Sequence, residues 1–117
     1  MILKPSGKLI ASDIEFAEGL ISQSKGLMFR KGIAERYALV FILSAPRSVS
    51  VHMLFVFFPI DIIFLDSDKK ILALKTLKPW IGLTRSPQRT KYIIEMHSGS
   101  IERHKLCPGD SIKIDRS

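Results

Sequence analysis

The stretch VSVHMLFVFFPIDIIFLD, residues Val49 to Asp66, decides the fold of this 117-residue chain. It is an almost unbroken apolar run that contains a single ionisable carboxylate, Asp61. A run this apolar predicts strands that are buried on both faces, and Pro59 is expected to bend or split it. Because an unpaired carboxylate in apolar surroundings is costly, we predict that Asp61 is buried and held by Arg30 or by backbone amides.

The composition is that of a globular protein, with 46% hydrophobic and 25% charged residues. The length predicts one domain over residues 1–117. The lone cysteine, Cys107, cannot form an internal disulfide, and no export signal is recognised at the N-terminus, so a cytoplasmic location is expected. The longest apolar segment, Met53 to Leu65, is shorter than the roughly 20 residues of a membrane-spanning helix, and no membrane association is expected.

Apolar periodicity and turn residues predict an α+β fold, with five to seven mostly antiparallel strands curled towards a barrel, and short helices. The β hairpin is the best-defined element, because Asp66 to Lys69 has the residues of a tight turn. The predicted elements are a strand over 8–16, a helix over 17–30, strands over 37–43, 60–65, 70–77, 91–96 and 111–115, one or two helical turns over 98–106, and a long loop over 78–90. The predicted core residues are Tyr37, Leu39, Phe41, Met53, Phe55, Ile62, Phe64, Ile94 and Ile112.

Several short motifs follow one another over nearly the whole chain, including GLMFR at 26–30, PIDIIFLD at 59–66, YIIE at 92–95 and PGD at 108–110. Together they resemble the family called domain of unknown function 192. The positions that carry the resemblance are Gly26, Leu27, Met28, Arg30, His52, Met53, Asp61, Glu95, Gly109 and Asp110.

The resemblance implies a mostly antiparallel β domain with short helices and no established activity, substrate or cofactor. The chain departs from the family pattern at one place. Where the family has Trp-Met followed by Lys-Asn-Thr, this chain has His52-Met53 followed by Leu54, Phe55 and Val56. The resemblance therefore does not extend to any polar pocket formed by those side chains.

Three polar residues at matching family positions have apolar sequence neighbours: Asp61, Glu95 and Arg30. One interpretation is a structural ion pair, since the arginine fork matches a carboxylate. The alternative is an enzyme in which the two carboxylates act as an acid–base pair and Arg30 binds an anion. Access to the carboxylates from solvent distinguishes the two interpretations.

Four metal-capable residues lie close together in the sequence: His97, His104, Cys107 and Asp110. Their spacing matches no standard zinc site, and neither a metal nor a cofactor is predicted. The sequence leaves open whether these four side chains converge. No phosphate-binding loop and no Ser-His-Asp order was recognised.

The segment 69–94 contains seven lysines and arginines and no acidic residue, in a chain with a net charge of +7. Trp80 lies within it, in the predicted loop. We therefore expect a non-enzymatic domain that binds a ligand, an acidic partner or, through residues 69–91, a nucleic acid. The predicted binding residues are Lys78, Trp80, Arg85, Arg89 and Lys91.

Overall fold

The computed structural model describes residues 1–4, 6–18, 27 and 30–114. Strands dominate these residues, and helix is limited to a single turn. The elements are β1 (Ile2–Lys4), β2 (Lys8–Leu9), β3 (Asp13–Glu18), β4 (Tyr37–Ile42), β5 (Ser50–His52), β6 (Ile60–Leu65), β7 (Ile71–Leu77), β8 (Leu83–Arg85), β9 (Tyr92–His97), α1 (Ser100–Arg103) and β10 (Ser111–Lys113).

A five-stranded sheet in the order β3-β4-β9-β6-β7 forms the centre of the fold. The β3–β4 pair is parallel, and the other pairs in this sheet are antiparallel. Two smaller sheets accompany it, β10-β1-β2 and β5-β8, and both are antiparallel. The prediction of mostly antiparallel strands is confirmed.

The central sheet is covered on both faces, which explains why all six residues of β6 are buried. Face 1 carries Ile60, Ile62 and Phe64 and packs against the strand and loop residues of 43–56, including those of β5. Face 2 carries Ile63 and Leu65, and packs against the β10-β1-β2 sheet and the residues after α1. Each face therefore has its own hydrophobic core.

The predicted hairpin over 60–77 is confirmed as β6 and β7, which pair antiparallel. Its turn is held by Asp66, whose side chain accepts hydrogen bonds from the N–H groups of Asp68 and Lys70 at 2.9 and 3.0 Å. A second turn spans Cys107 to Asp110, where Gly109 adopts a φ of +94° and the N–H of Asp110 donates to the carbonyl of Cys107.

Four sequence predictions need correction. The predicted strand over 8–16 is divided into β2 and β3, which belong to different sheets. The predicted helix over 17–30 is wrong at its start, because Ala17 and Glu18 belong to β3, while residues 19–26, 28 and 29 lie outside the described residues. The predicted loop over 78–90 contains strand β8. Closure towards a barrel is not found, since the described strands form three separate sheets.

The predicted core is confirmed at eight of its nine positions and is wrong at Phe55. Phe55 adopts a φ of +62° in a loop, and its side chain is 43% exposed. The hydrophobic pattern could not reveal this, because Phe55 lies in an apolar run whose other residues are mostly buried.

Candidate functional site

Asp61 is buried and fully engaged, as a structural carboxylate is expected to be. Only 1% of the residue is exposed. The Thr76 hydroxyl donates to Oδ1 at 2.8 Å, and the N–H groups of Gly99 and Ile101 donate to Oδ2 at 3.1 and 2.8 Å. The predicted burial and backbone amides are confirmed, and these bonds tie β6 and β7 to the start of α1.

Arg30, the alternative partner predicted for Asp61, bonds elsewhere. Arg30 donates to Glu15 at 3.1 Å, and the Tyr37 hydroxyl donates to the same carboxylate oxygen. The hydrogen bonds from Tyr37 and Arg30 lower the pKa of Glu15. The Arg30 guanidinium also lies 5.4 Å from the Tyr37 ring centroid, so this group fixes residue 30 against β3 and β4.

Glu95 lies on face 1, opposite Leu39 of β4 and Ile62 of β6. It is fully enclosed, and neither carboxyl oxygen has a hydrogen-bond partner among the described residues. Burial raises its pKa well above the ordinary value. A buried carboxyl without partners destabilises the fold when it ionises.

The predicted cluster of Asp61, Glu95 and Arg30 does not exist as one site. Asp61 pairs with Met96 in the β6–β9 ladder, so it shares face 2 with that residue, while Glu95 lies on face 1. Asp61 is enclosed and saturated by its three donors, which excludes the two carboxylates as a shared acid–base pair.

The four metal-capable residues near the C-terminus do not assemble. Within the described part of the chain, no group of three or more His, Cys, Asp or Glu side chains could hold a metal ion. His97 Nδ1 lies 2.8 Å from the carbonyl oxygen of Ser98, and Asp110 accepts from the N–H of Cys107 at 3.1 Å. His104 lies beside Arg103 in a separate pocket.

The predicted binding loop divides into two parts with different surroundings. Arg89 lies 3.5 Å from Asp66, and Lys91 donates to the carbonyl of Leu43 at 2.6 Å, so the end of the loop is tied to the central sheet. Lys78, Trp80 and Arg85 lie in the exposed first part. The five predicted binding residues are therefore divided between an exposed segment and a segment tied to the central sheet, and their role in binding stays a prediction.

The first part of this loop contributes to an exposed apolar surface, which we call the Trp80 patch. The Trp80 ring lies 5.1 Å from that of Phe55 and 5.4 Å from that of Phe57, measured between centroids. The aliphatic side chains are more open, with Ile81 77% and Leu83 71% exposed. The patch comprises Leu54, Phe55, Phe57, Trp80, Ile81 and Leu83.

Two loops present the patch, and they are bonded to each other. The N–H of Trp80 donates to the carbonyl of Val56 at 3.1 Å, and the N–H of Met53 donates to that of Gly82 at 3.0 Å. Phe55 and Trp80 both adopt positive φ values, 62° and 66°, which cost free energy for aromatic residues. The exposed positions of Phe55 and Trp80 are therefore reached at a cost in conformational free energy.

Gly82 allows the two loops to approach this closely. A Cβ atom there would lie 2.7 Å from the carbonyl oxygen of Lys78 and 2.8 Å from Cγ of Met53. We expect Gly82→Ala to lower the free energy of unfolding by about 1 to 3 kcal/mol in urea denaturation. Gly32→Ala is the matched control, since a Cβ there meets nothing within 4 Å, and an equal loss in both variants would contradict the prediction.

Sequence reasoning found Trp80 but missed the rest of the patch. Among the positions that carry the family resemblance, Leu27 and Met53 are buried in the face 1 core and His52 is half-buried. Gly26 and Met28 lie outside the described residues. The sequence signal for the patch was the departure from the family pattern, in which Leu54 and Phe55 replace polar residues.

Comparison with known proteins identifies the family. The model of the family DUF192, described as an uncharacterised ACR, matches residues 1–114. The chain belongs to the DUF192 family. Similar DUF192 relatives are the UPF0127 proteins of Pyrococcus furiosus, 40% identical over 99% of this chain and 98% of that protein, and of Pyrococcus horikoshii, 41% identical over 86% of each.

Two solved structures share the fold with a TM-score of 0.78, and each is 25% identical over 86% of this chain. One is a proposed transcription regulator from Sinorhizobium meliloti, of which 79% is covered. The other is a protein of unknown function from Novosphingobium aromaticivorans, of which 74% is covered. The DUF192 family has no assigned function, and no described helix is long and apolar enough to span a membrane.

Proposed function

We propose that this protein is a non-enzymatic binding domain whose Trp80 patch docks a partner polypeptide with apolar and acidic side chains. The observation that carries the proposal is the exposure of six large apolar side chains on the segments 54–57 and 80–83, which are hydrogen-bonded to each other. Exposed apolar patches of this kind mark interaction sites, and Trp and Phe are enriched where partners bind.

The surroundings of the patch favour an acidic partner. Lys78 and Arg85 are exposed and lie two residues from Trp80 and Leu83 respectively. The segments 36–60 and 69–94, which supply both loops, contain no Asp or Glu. A second copy of the chain is a poorer partner, because pairing two patches would bring like charges together.

A single-stranded nucleic acid is the second candidate. Exposed aromatic rings beside cations can stack on bases, and one similar structure belongs to a proposed transcription regulator. The most exposed patch residues, however, are Ile81 and Leu83, which have no aromatic face. This favours a polypeptide over a nucleic acid.

Selection from a displayed library of random peptides tests the polypeptide proposal. We expect the selected sequences to combine Leu, Phe or Trp with Asp or Glu. Their affinity should fall at least about tenfold when Ile81 and Leu83 are both replaced by Asp, because a charge then meets the apolar part of the peptide. The double variant should keep its stability within about 0.5 kcal/mol, since both side chains are exposed.

A matched control replaces the exposed Ser12 and Gln88 by Asp, outside the patch and with the same change in net charge, and should leave peptide binding unchanged. Equal binding to the wild type and the Ile81/Leu83 variant would refute the proposal, as would a selection that enriches no sequence class. Binding of mixed-sequence single-stranded DNA or RNA that falls steeply with salt, and with Trp80→Ala, would instead support the second candidate.

A further inference from the structure

A small pocket of about 80 Å³ lies on a different part of the molecule, where the end of α1 meets β2 and the residues before β4. Two arginines and a histidine line it, together with one carboxylate. Its volume is several times that needed for one water molecule. The lining residues are Leu9, Ile10, Glu35, Arg36, Arg103 and His104.

The charge around this pocket is positive. Arg36 and Arg103 line it, and Lys8 Nζ lies 3.5 Å from the backbone carbonyl oxygen of Arg103. Glu35 is the one carboxylate in the lining, 3.4 Å from Nη1 of Arg103. It offsets one of these three cations and leaves the others without an anionic partner among the described residues.

His104 responds to these charges. Burial lowers its pKa most, Lys8, Arg103 and Arg36 lower it further, and Glu35 opposes them. Its Nδ1 atom is buried and has no hydrogen-bond partner among the described residues. Buried ring nitrogens normally have a partner, so this atom marks an incompletely satisfied group beside an electropositive pocket.

We propose that this pocket binds a small tetrahedral oxyanion, either free phosphate or the phosphoryl group of a phosphomonoester. The Arg36 guanidinium offers a forked donor that matches phosphate oxygens, and the pocket has room for an ion of that size. Arg103, which bonds to Glu35 through Nη1 and to Ser100 through Nη2, adds a second guanidinium charge to the lining. An anion held there would neutralise the excess charge and favour the protonated, donating form of His104. This site is independent of the Trp80 patch and does not rest on the proposed function.

The test follows the His104 ring by NMR while the intact protein is titrated with inorganic phosphate. We expect saturable binding and a rise of the His104 pKa by at least about 0.5 unit at saturation, because a bound anion stabilises the imidazolium. Sulfate stays a dianion throughout the range in which His104 titrates, which lies below the ordinary histidine pKa, so its affinity should increase as the pH falls through that range. A parallel titration with a 5′-nucleoside monophosphate distinguishes a phosphomonoester from free phosphate.

Arg36→Gln should weaken phosphate binding at least about fivefold, since it removes one fork from the pocket. Arg47→Gln carries the same charge change on an exposed residue outside the pocket and should change the affinity less than about twofold. His104→Gln should remove the pH dependence of sulfate binding. The proposal is overturned if neither phosphate nor the monophosphate shifts His104 at 20 mM, or if Arg36→Gln and Arg47→Gln weaken binding equally.

Discussion

Replacing Asp61 by leucine is expected to lower the free energy of unfolding by about 3 to 4 kcal/mol at pH 7, one of the largest single-residue effects we predict for this chain. The leucine would fill the space but leave the N–H groups of Gly99 and Ile101 without their acceptor. Both donors close the start of α1 against β6, so the loss also loosens that connection. Urea unfolding of the purified variant measures the effect.

Two further variants separate the contributions to this site. Asp61→Asn keeps one acceptor oxygen and should lose about 1 to 2 kcal/mol, because it weakens the charge-assisted bonds. Thr76→Val removes the third donor from an exposed position on β7 and should cost less than about 1 kcal/mol. A loss below about 1 kcal/mol in Asp61→Leu would show that the backbone donors do not depend on this carboxylate.

Glu95 is expected to lower the free energy of unfolding as the pH rises above 4.5, the ordinary pKa of a glutamate side chain. Burial raises the pKa of Glu95 in the folded state above its ordinary value of 4.5, so the folded protein keeps a proton that the unfolded chain releases. The contribution of this proton to stability is therefore fully present below the pKa that Glu95 has in the unfolded chain. It is lost as the pH rises from there to the pKa of Glu95 in the folded protein. Over that window the loss is about 1.4 kcal/mol per pH unit.

Comparison with Glu95→Gln isolates this effect, since glutamine has a similar shape and does not titrate. We expect the free energy of unfolding of the variant to exceed that of the wild type by at least about 2 kcal/mol at pH 8. This difference should shrink as the pH falls towards 4.5. Glu102→Gln makes the same charge change at an exposed position and should show no such divergence. Parallel stability–pH curves for wild type and Glu95→Gln would mean that Glu95 ionises in the folded protein without penalty.

The sequence predicted the parts of the fold that depend on local pattern. The β6–β7 hairpin followed from an apolar run, a turn-forming Asp66 and a second strand. The burial of Asp61 followed from the cost of exposing its apolar neighbours. Backbone amides were one of the two partners predicted for Asp61, and their identity as Gly99 and Ile101 required the position of α1.

The candidate cluster failed because of register. Asp61 and Glu95 lie on adjacent strands, but their direct partners in the ladder are Met96 and Ile62, so the two carboxylates are offset by one residue and point to opposite faces. A one-residue change in register would have placed them together. No local pattern in a single sequence fixes which residues of two distant strands lie opposite each other.

The Trp80 patch was only partly predictable for a related reason. Apolar residues such as Phe55 are assigned to the core by composition, and the loop conformation that exposes them depends on contacts between segments far apart in the chain. The approach of residue 53 to Gly82 is one such contact. The basic, acid-free composition of the loop was readable from the sequence, whereas the division of the loop by β8 was not.

The position of β9 has a consequence for synthesis on the ribosome. This strand follows β4 and β6 in the chain, yet it lies between them in the central sheet. Until residues 92–97 leave the exit tunnel, β4 and β6 each present an unpaired edge and apolar side chains on both faces. Nascent chains that pause before this point are therefore expected to recruit chaperones or aggregate, and release of β9 completes the sheet in a single step.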